Sequence, residues 1–167
     1  MLLKDYYNQQ FVERFAQALS EHYPAFNREG FLSYVTKEIE GKEYSQRMNA
    51  FSHAFDWFLP DYSETLKIFS KLFGQELKSF SAMYSDGADY APIGRYVELH
   101  CGEEPEHFQQ SVDFIKELTK RYTGEFAMRS LIRAFPQRTM NVLIEWSGSD
   151  NAFVRRCASE CMRVRLP

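Results

Sequence analysis

GEFAMRSLIRAFPQRTMNVLIEWSGSDNAFVRRCASECMRVR, residues 124–165, decides the fold class. Its apolar residues recur at three- and four-residue intervals, the spacing of amphipathic helices, and strand-like alternation is nearly absent. Gly124 precedes a helix from Glu125 to Ala134. Pro136 opens a second that runs to Trp146, because proline suits a first helical turn. The loop Ser147-Gly148-Ser149-Asp150-Asn151 follows, with Asp150 or Asn151 as N-cap of a last helix from Ala152 to about Arg165. Helix, short turn, helix, in units too thin to bury both faces, is how α-solenoids of HEAT-like repeats are built. The pattern therefore predicts an all-α fold. Repeat identity is weak, so the pattern leaves an α-α superhelix (solenoid) and an irregular bundle both open.

Upstream the same spacing continues. Phe11-Val12-Phe15-Ala16-Leu19 marks one helix, and further helices are expected over Arg28 to Ile39, Tyr44 to Phe58 and Ser63 to Phe73. Pro60 stops the third of these, and Asp61 or Ser63 caps the next. Gly74 and Ser85-Asp86-Gly87-Ala88-Asp89 read as breaks. A helix from Ile93 to His100 ends at Cys101-Gly102, and another runs from Pro105 to Tyr122. The 167 residues, 44% hydrophobic and 26% charged, are expected to form one domain over 1–167. A chain of this size buries about 70% of its unfolded surface, so it needs neither disulfide nor metal to hold together.

Several function classes lack support. The start MLLKDYYNQQFVERF has charges where a signal peptide needs an apolar core, and no run approaches the ~18 apolar residues of a membrane span. Cys101, Cys157 and Cys161 are odd in number and form no C-x-x-C pair, which favours a reducing cytoplasm. Cys157 and Cys161, four apart, read as small core residues on one helix side. His22, His53, His100 and His107 lack the spacing of a metal site, so no metal or other cofactor is expected. No glycine-rich phosphate loop or nucleophile elbow is present. Phe51, Phe55, Trp57 and Phe58 fall at helical spacing and read as core rather than a ligand pocket.

The formal net charge of −3 argues, taken whole, against a nucleic-acid partner. It conceals an asymmetry. Residues 1–115 carry 10 basic and 18 acidic groups, net −8, whereas 116–167 carry 10 basic and 5 acidic groups, net +5. Eight of those ten cations are arginine, the side chain whose planar fork suits phosphate.

Spacing sharpens the point. Glu125, Arg129 and Arg133 fall at i, i+4 and i+8 on one helix face, with Phe126, Ala127, Leu131 and Ala134 supplying much of the other. Arg156, Glu160 and Arg163 fall at i, i+4 and i+7, with Val154, Ala158 and Cys161 on the apolar side. Each basic stripe thus holds one carboxylate. One reading is an i,i+4 ion pair on a solvated face, worth about 0.3–0.5 kcal/mol. The other is a cationic groove for a phosphate backbone with two acids inside it. An acid facing DNA is repelled unless the group it meets is positive, such as an alkylated base or an oxocarbenium-like sugar. There it can also orient or deprotonate an attacking water.

At these residues the sequence resembles a known family. Thr123-Gly124-Glu125-Phe126-Ala127-Met128-Arg129, followed by Phe135-Pro136, is similar to the T-x-E-F-A-[IV]-R segment of the AlkC-type DNA alkylation repair glycosylases, of the AlkC/AlkD group. Glu145-Trp146 and Asn151-Ala152-Phe153-Val154-Arg155-Arg156-Cys157-Ala158-Ser159-Glu160 resemble the family's E-W…N-x-x-V-R-R-x-A-S-E run, and Arg163, Arg165, Leu166 and Pro167 its R-x-R-L-P end. Weaker similarity runs through Gln46-Arg47-Met48, Leu59-Pro60-Asp61-Tyr62 and Pro92-Ile93-Gly94-Arg95-Tyr96-Val97. Cys161, Met162 and Val164 depart from the family's Gly-Thr and Pro, and Ser130 stands where Pro is common.

The resemblance implies an α-solenoid of HEAT-like repeats that grips duplex DNA by its backbone and excises cationic N-alkylated bases such as N3-methylated purines, without a metal. It implies Glu125 and Glu160 as catalytic carboxylates. Arg129, Arg155, Arg156 and Arg163 would then hold phosphates or orient the acids; Arg133 and Arg165 extend the basic surface. Trp146, beside Glu145, is either a core ring or one lining the pocket. The family continues past the position of Pro167 with a Trp and further helical repeats, so a C-terminally shortened domain is implied. A non-catalytic HEAT-like module that binds DNA, RNA or a protein partner is the alternative.

Overall fold

The computed structural model describes residues 2–163, which form ten α-helices and, among the described residues, no strand. They divide after Leu72 into two compact units. In the first, a single turn α1 (Leu3–Tyr6) precedes α2 (Gln9–His22), α3 (Arg28–Ile39), α4 (Tyr44–Phe58) and α5 (Tyr62–Lys71). Side-chain oxygens start three of these helices. Asn8 accepts from the Phe11 N–H at 3.1 Å, Asn27 from Gly30 at 2.9 Å and Asp61 from Glu64 at 3.0 Å. Asp61 rather than Ser63 is therefore the cap of α5. α3 packs on both α2 and α4. Their shared core is aromatic: Phe31 stacks on Phe55 at 5.9 Å, and Phe55 meets Phe69 edge-on at 5.0 Å. Phe51 and Phe55 are core as expected, whereas Trp57 is exposed.

The second unit begins with an extended stretch and two 3-10 turns, Phe80–Tyr84 and Ala88–Tyr90. Then come α6 (Ala91–His100), a 3-10 turn at Pro105–His107, α7 (Phe108–Thr119), α8 (Glu125–Ala134), α9 (Pro136–Ser147) and α10 (Ala152–Glu160). α8 is central and packs on α6, α7, α9 and α10. Gly124 sets where it starts. A Cβ at that position would lie 2.1 Å from Thr119 Oγ1 and 2.9 Å from Ile115 Cγ2, so only glycine lets α8 begin this close to α7. Asn151, not Asp150, caps α10, its side-chain oxygen accepting from the N–H groups of Phe153 (2.9 Å) and Val154 (3.2 Å).

Three expectations are corrected. α10 ends at Glu160 and Cys161–Arg163 turn away from it, because the Cys161 carbonyl is taken by Arg129 from α8. Phe126 is 48% exposed rather than apolar-face core. The buried arc of α8 consists of Glu125, Ala127, Met128 and Leu131, and Phe126 lies about 100° from Glu125 on the solvent side. Trp146 is 2% exposed and is one of the largest buried side chains, a core ring rather than one lining an open pocket. Arg165 lies outside the described residues. No described helix is long and apolar enough to cross a membrane.

Candidate active site

Glu125 is the first residue of α8 and only 5% exposed. Its backbone N–H donates to Thr123 Oγ1 at 3.4 Å, and its place in the first helical turn lets the amide dipoles favour its charge. The carboxylate does not point to solvent. It accepts a hydrogen bond on Oε1 from Nη1 of Arg156, which reaches across from α10. One turn further along α10, Glu160 Oε2 accepts from Arg163 Nη1 at 2.8 Å.

The two acids act on each other through this arrangement. Burial pushes the Glu125 carboxyl above the usual carboxylate range; the Arg156 charge and hydrogen bonding to backbone and Arg156 pull it back, and the charge of Glu160 adds to the rise. Glu160 is held below the usual range by the hydrogen bond from Arg163 and by the charges of Arg163 and Arg156. Arg156 thus acts on both carboxyls, and Glu125, Arg156 and Glu160 form one electrostatic cluster. Two carboxyls whose proton affinities are driven apart by environment are the usual material of paired acid–base chemistry.

Beneath them lie the buried free thiols Cys157 and Cys161. The Cys157 thiol donates to Cys161, which with burial raises Cys157 and, against burial, lowers Cys161. The core reading of these cysteines agrees with their position.

The arginines divide by task. Arg129 Nε donates to the Cys161 carbonyl at 3.1 Å and its Nη2 to the Arg163 carbonyl, so it caps the end of α10. Arg155 Nη1 donates to the carbonyls of Ser149 (2.6 Å) and Asp150 (2.9 Å) and ties down the loop before α10. Arg133 is exposed, with Nη2 donating to Ser130 Oγ at 3.0 Å. Arg129 and Arg133 line a groove of about 370 Å³ with Ile132, Met140 and Cys161. Arg155 lines another of about 420 Å³; the two share Met140 and Met162 and so adjoin. Arg156 also lies 5.6 Å from the ring centroid of Phe80, a residue that no sequence pattern singled out. Among the described residues, no group of three or more His, Cys, Asp or Glu is placed to hold a metal ion.

Comparison with known proteins gives the cluster a context. No protein-family model matches the chain. The Bacillus subtilis protein YhaZ, itself uncharacterised, is 27% identical over 169 residues, covering 99% of this chain and 43% of that protein. The structure of the Pseudomonas fluorescens alkylpurine DNA glycosylase AlkC, bound to DNA containing an abasic site analog, matches with a TM-score of 0.83 and 30% identity, over 100% of this chain and 44% of that one. The chain has an AlkC-type DNA glycosylase fold, which is an all-α helical-repeat fold, and it spans less than half the length of either relative.

Proposed function

We propose that the chain carries the base-excision site of a cytoplasmic DNA alkylation-repair glycosylase, hydrolysing the N-glycosidic bond of cationic N-alkylated bases, such as N3-methylated purines, in duplex DNA without metal or cofactor. The observation that carries this reading is the Glu125–Arg156–Glu160 cluster, a buried carboxylate paired across two helices with a second acid acting on it. The likeness to a DNA-bound alkylpurine glycosylase over the whole chain supports it.

The chemistry follows from the charges. In a cationic lesion the C1′–N bond breaks with both electrons passing to the base, which leaves neutral while the sugar becomes oxocarbenium-like. Glu160, held ionised by Arg163, supplies a negative charge to that developing cation. Water adds to C1′, and its proton passes to Glu125, whose burial raises its proton affinity. Arg156 keeps the buried carboxylate ionised until that transfer. The basic side chains around the grooves, with Arg133 and Arg163 exposed, serve phosphates.

The test is release of methylated base from alkylated duplex. Glu160→Gln is expected to lower release by roughly 10²-fold or more while duplex binding persists. No release by the parent protein at concentrations that saturate binding removes the catalytic reading. One observation favours a second reading, a non-catalytic HEAT-like module for DNA, RNA or a protein. Arg129 and Arg155 are already bonded to main-chain carbonyls. That reading expects nucleic-acid binding that weakens with salt, or protein binding, and no chemistry.

A further inference from the structure

We propose that Phe80 is a positioning residue for this site, its ring holding the Arg156 guanidinium on the Glu125 carboxylate. The stretch from Phe73 to Ser79 forms no helix, yet it is tied down along its length. The Gly74 N–H donates to Tyr90 Oη at 2.8 Å, and Arg121 Nε donates to the Gly74 carbonyl at 2.8 Å. The Leu77 N–H donates to the Lys120 carbonyl at 2.9 Å. Glu76 pairs with Lys120 at 3.5 Å and accepts from Asn151 Nδ2 at 3.4 Å. These ties fix the stretch to the end of α7 and to the N-cap of α10, and so deliver Phe80 onto α10.

There the ring meets Phe153 edge-on at 4.6 Å, and Arg156, one turn later, sits over it at 5.6 Å. Phe80 remains 46% exposed, so burial alone is a weak reason for an aromatic ring at this place. A ring face beneath a guanidinium is an electrostatic attraction that narrows where the guanidinium can go. Arg156 needs that restraint. Its side chain is 38% exposed and free on one side to swing into water, while the carboxylate it serves is buried. Among the described residues, the groups facing Glu125 offer no substitute cation. From α10 these are Arg156, Cys157, Glu160 and Cys161; from α7, Ile115 and Thr119 flank Gly124; and Arg129 on its own helix is turned to the carbonyls of Cys161 and Arg163.

The catalytic part of the test rests on the proposed function; the titration part does not. Phe80→Ala, Phe80→Leu and Phe80→Tyr are compared by carbon-13 NMR titration of the Glu125 carboxyl and by the pH profile of base release. In the alanine and leucine variants the Glu125 midpoint is expected to move upward, and base release at neutral pH to fall about two- to five-fold. Tyrosine, which keeps the ring face, restores both. Leucine retains apolar bulk, so its failure to rescue separates ring–guanidinium attraction from packing. A Glu125 midpoint unchanged in Phe80→Ala overturns the proposal, even where base release falls, because that result makes Phe80 a DNA contact. A midpoint that moves in a protein releasing no base leaves the positioning role standing and removes the catalytic reading instead.

Discussion

Arg156→Ala probes the centre of the site. The substitution leaves Glu125 buried and, among the described residues, without its cation partner, while the charge of Glu160, still paired with Arg163, continues to act on it. Breaking a buried ion pair from one side typically costs about 3–5 kcal/mol. Arg156 is 38% exposed and partly screened, which places the expected loss near the low end, about 3 kcal/mol, with Glu125 ionised. The carboxyl has an escape, which is to take up a proton. Glu125 already binds its proton more tightly in the folded chain than when unfolded, and the variant raises that affinity further. Between the unfolded and folded values the folded state holds more protons, so stability falls as pH rises through that window. The loss relative to the parent is therefore smaller at the acid end of the range, where the carboxyl takes up its proton, and larger at the alkaline end, where it is ionised.

For a chain of this size about 3 kcal/mol corresponds to a Tm lower by roughly 6–12 °C. Thermal unfolding followed by far-UV circular dichroism at pH 5, 6, 7 and 8 reads this directly. A Tm deficit of equal size at every pH would refute the electrostatic account and leave lost packing against Phe80 as the cause. Adding Glu125→Gln to Arg156→Ala removes the stranded charge, so the double variant is expected to regain most of the stability and lose the pH dependence.

Gly124→Ala forces a Cβ to within 2.1 Å of Thr119 Oγ1 and displaces the first turn of α8, at a cost of about 1–3 kcal/mol. A denaturant midpoint equal to the parent's would show that this approach of α8 to α7 is not tight. Arg129→Ala removes two bonds to the carbonyls at the end of α10, for a loss of about 1.5–3 kcal/mol. The amides of Cys161, Met162 and Arg163, bonded to Cys157, Ser159 and Glu160, are then expected to exchange faster with solvent. Unchanged exchange there would mean that Arg129 does not hold the cap.

Helix positions were legible where local chemistry decides them. α3, α4 and α8 occupy the spans their spacing predicts, and Asp61, Pro136 and Asn151 start helices because caps and prolines act within a few residues. The end of α10 was not legible, since what stops it is an arginine from another helix. Phe126 was misplaced for a related reason. With Glu125 itself turned inward, the buried arc of α8 includes a charged residue, and a pattern that separates apolar from polar residues rotates the face away from its true position. The pair Glu125 and Glu160 could be named from two stripes and a family resemblance, but their convergence could not. They are 35 residues apart, and only the packing of α8 on α10 lets the charge of Glu160 act on Glu125. Phe80 left no signal, being a single ring in a stretch without periodicity.

The charge stripes admitted an ordinary explanation, in which Glu125 pairs with Arg129 and Glu160 with Arg156, each within one helix at i,i+4. The fold assigns the partners otherwise. Glu125 takes Arg156 from α10, Glu160 takes Arg163, and Arg129 spends its donors on carbonyls. An exposed i,i+4 pair is worth a few tenths of a kcal/mol and asks nothing of the fold. A carboxylate buried to 5% carries a desolvation cost that one partly exposed arginine offsets only in part. Stability alone therefore gives no reason to turn Glu125 inward, since a leucine there would bury apolar surface without that cost. Local rules that fail at an expense to stability mark functional sites. The exchange of partners between α8 and α10 is accordingly a stronger argument for chemistry at Glu125 than the basic excess of the segment, because eight arginines suit any anion whereas one buried, arginine-bound glutamate suits a reaction.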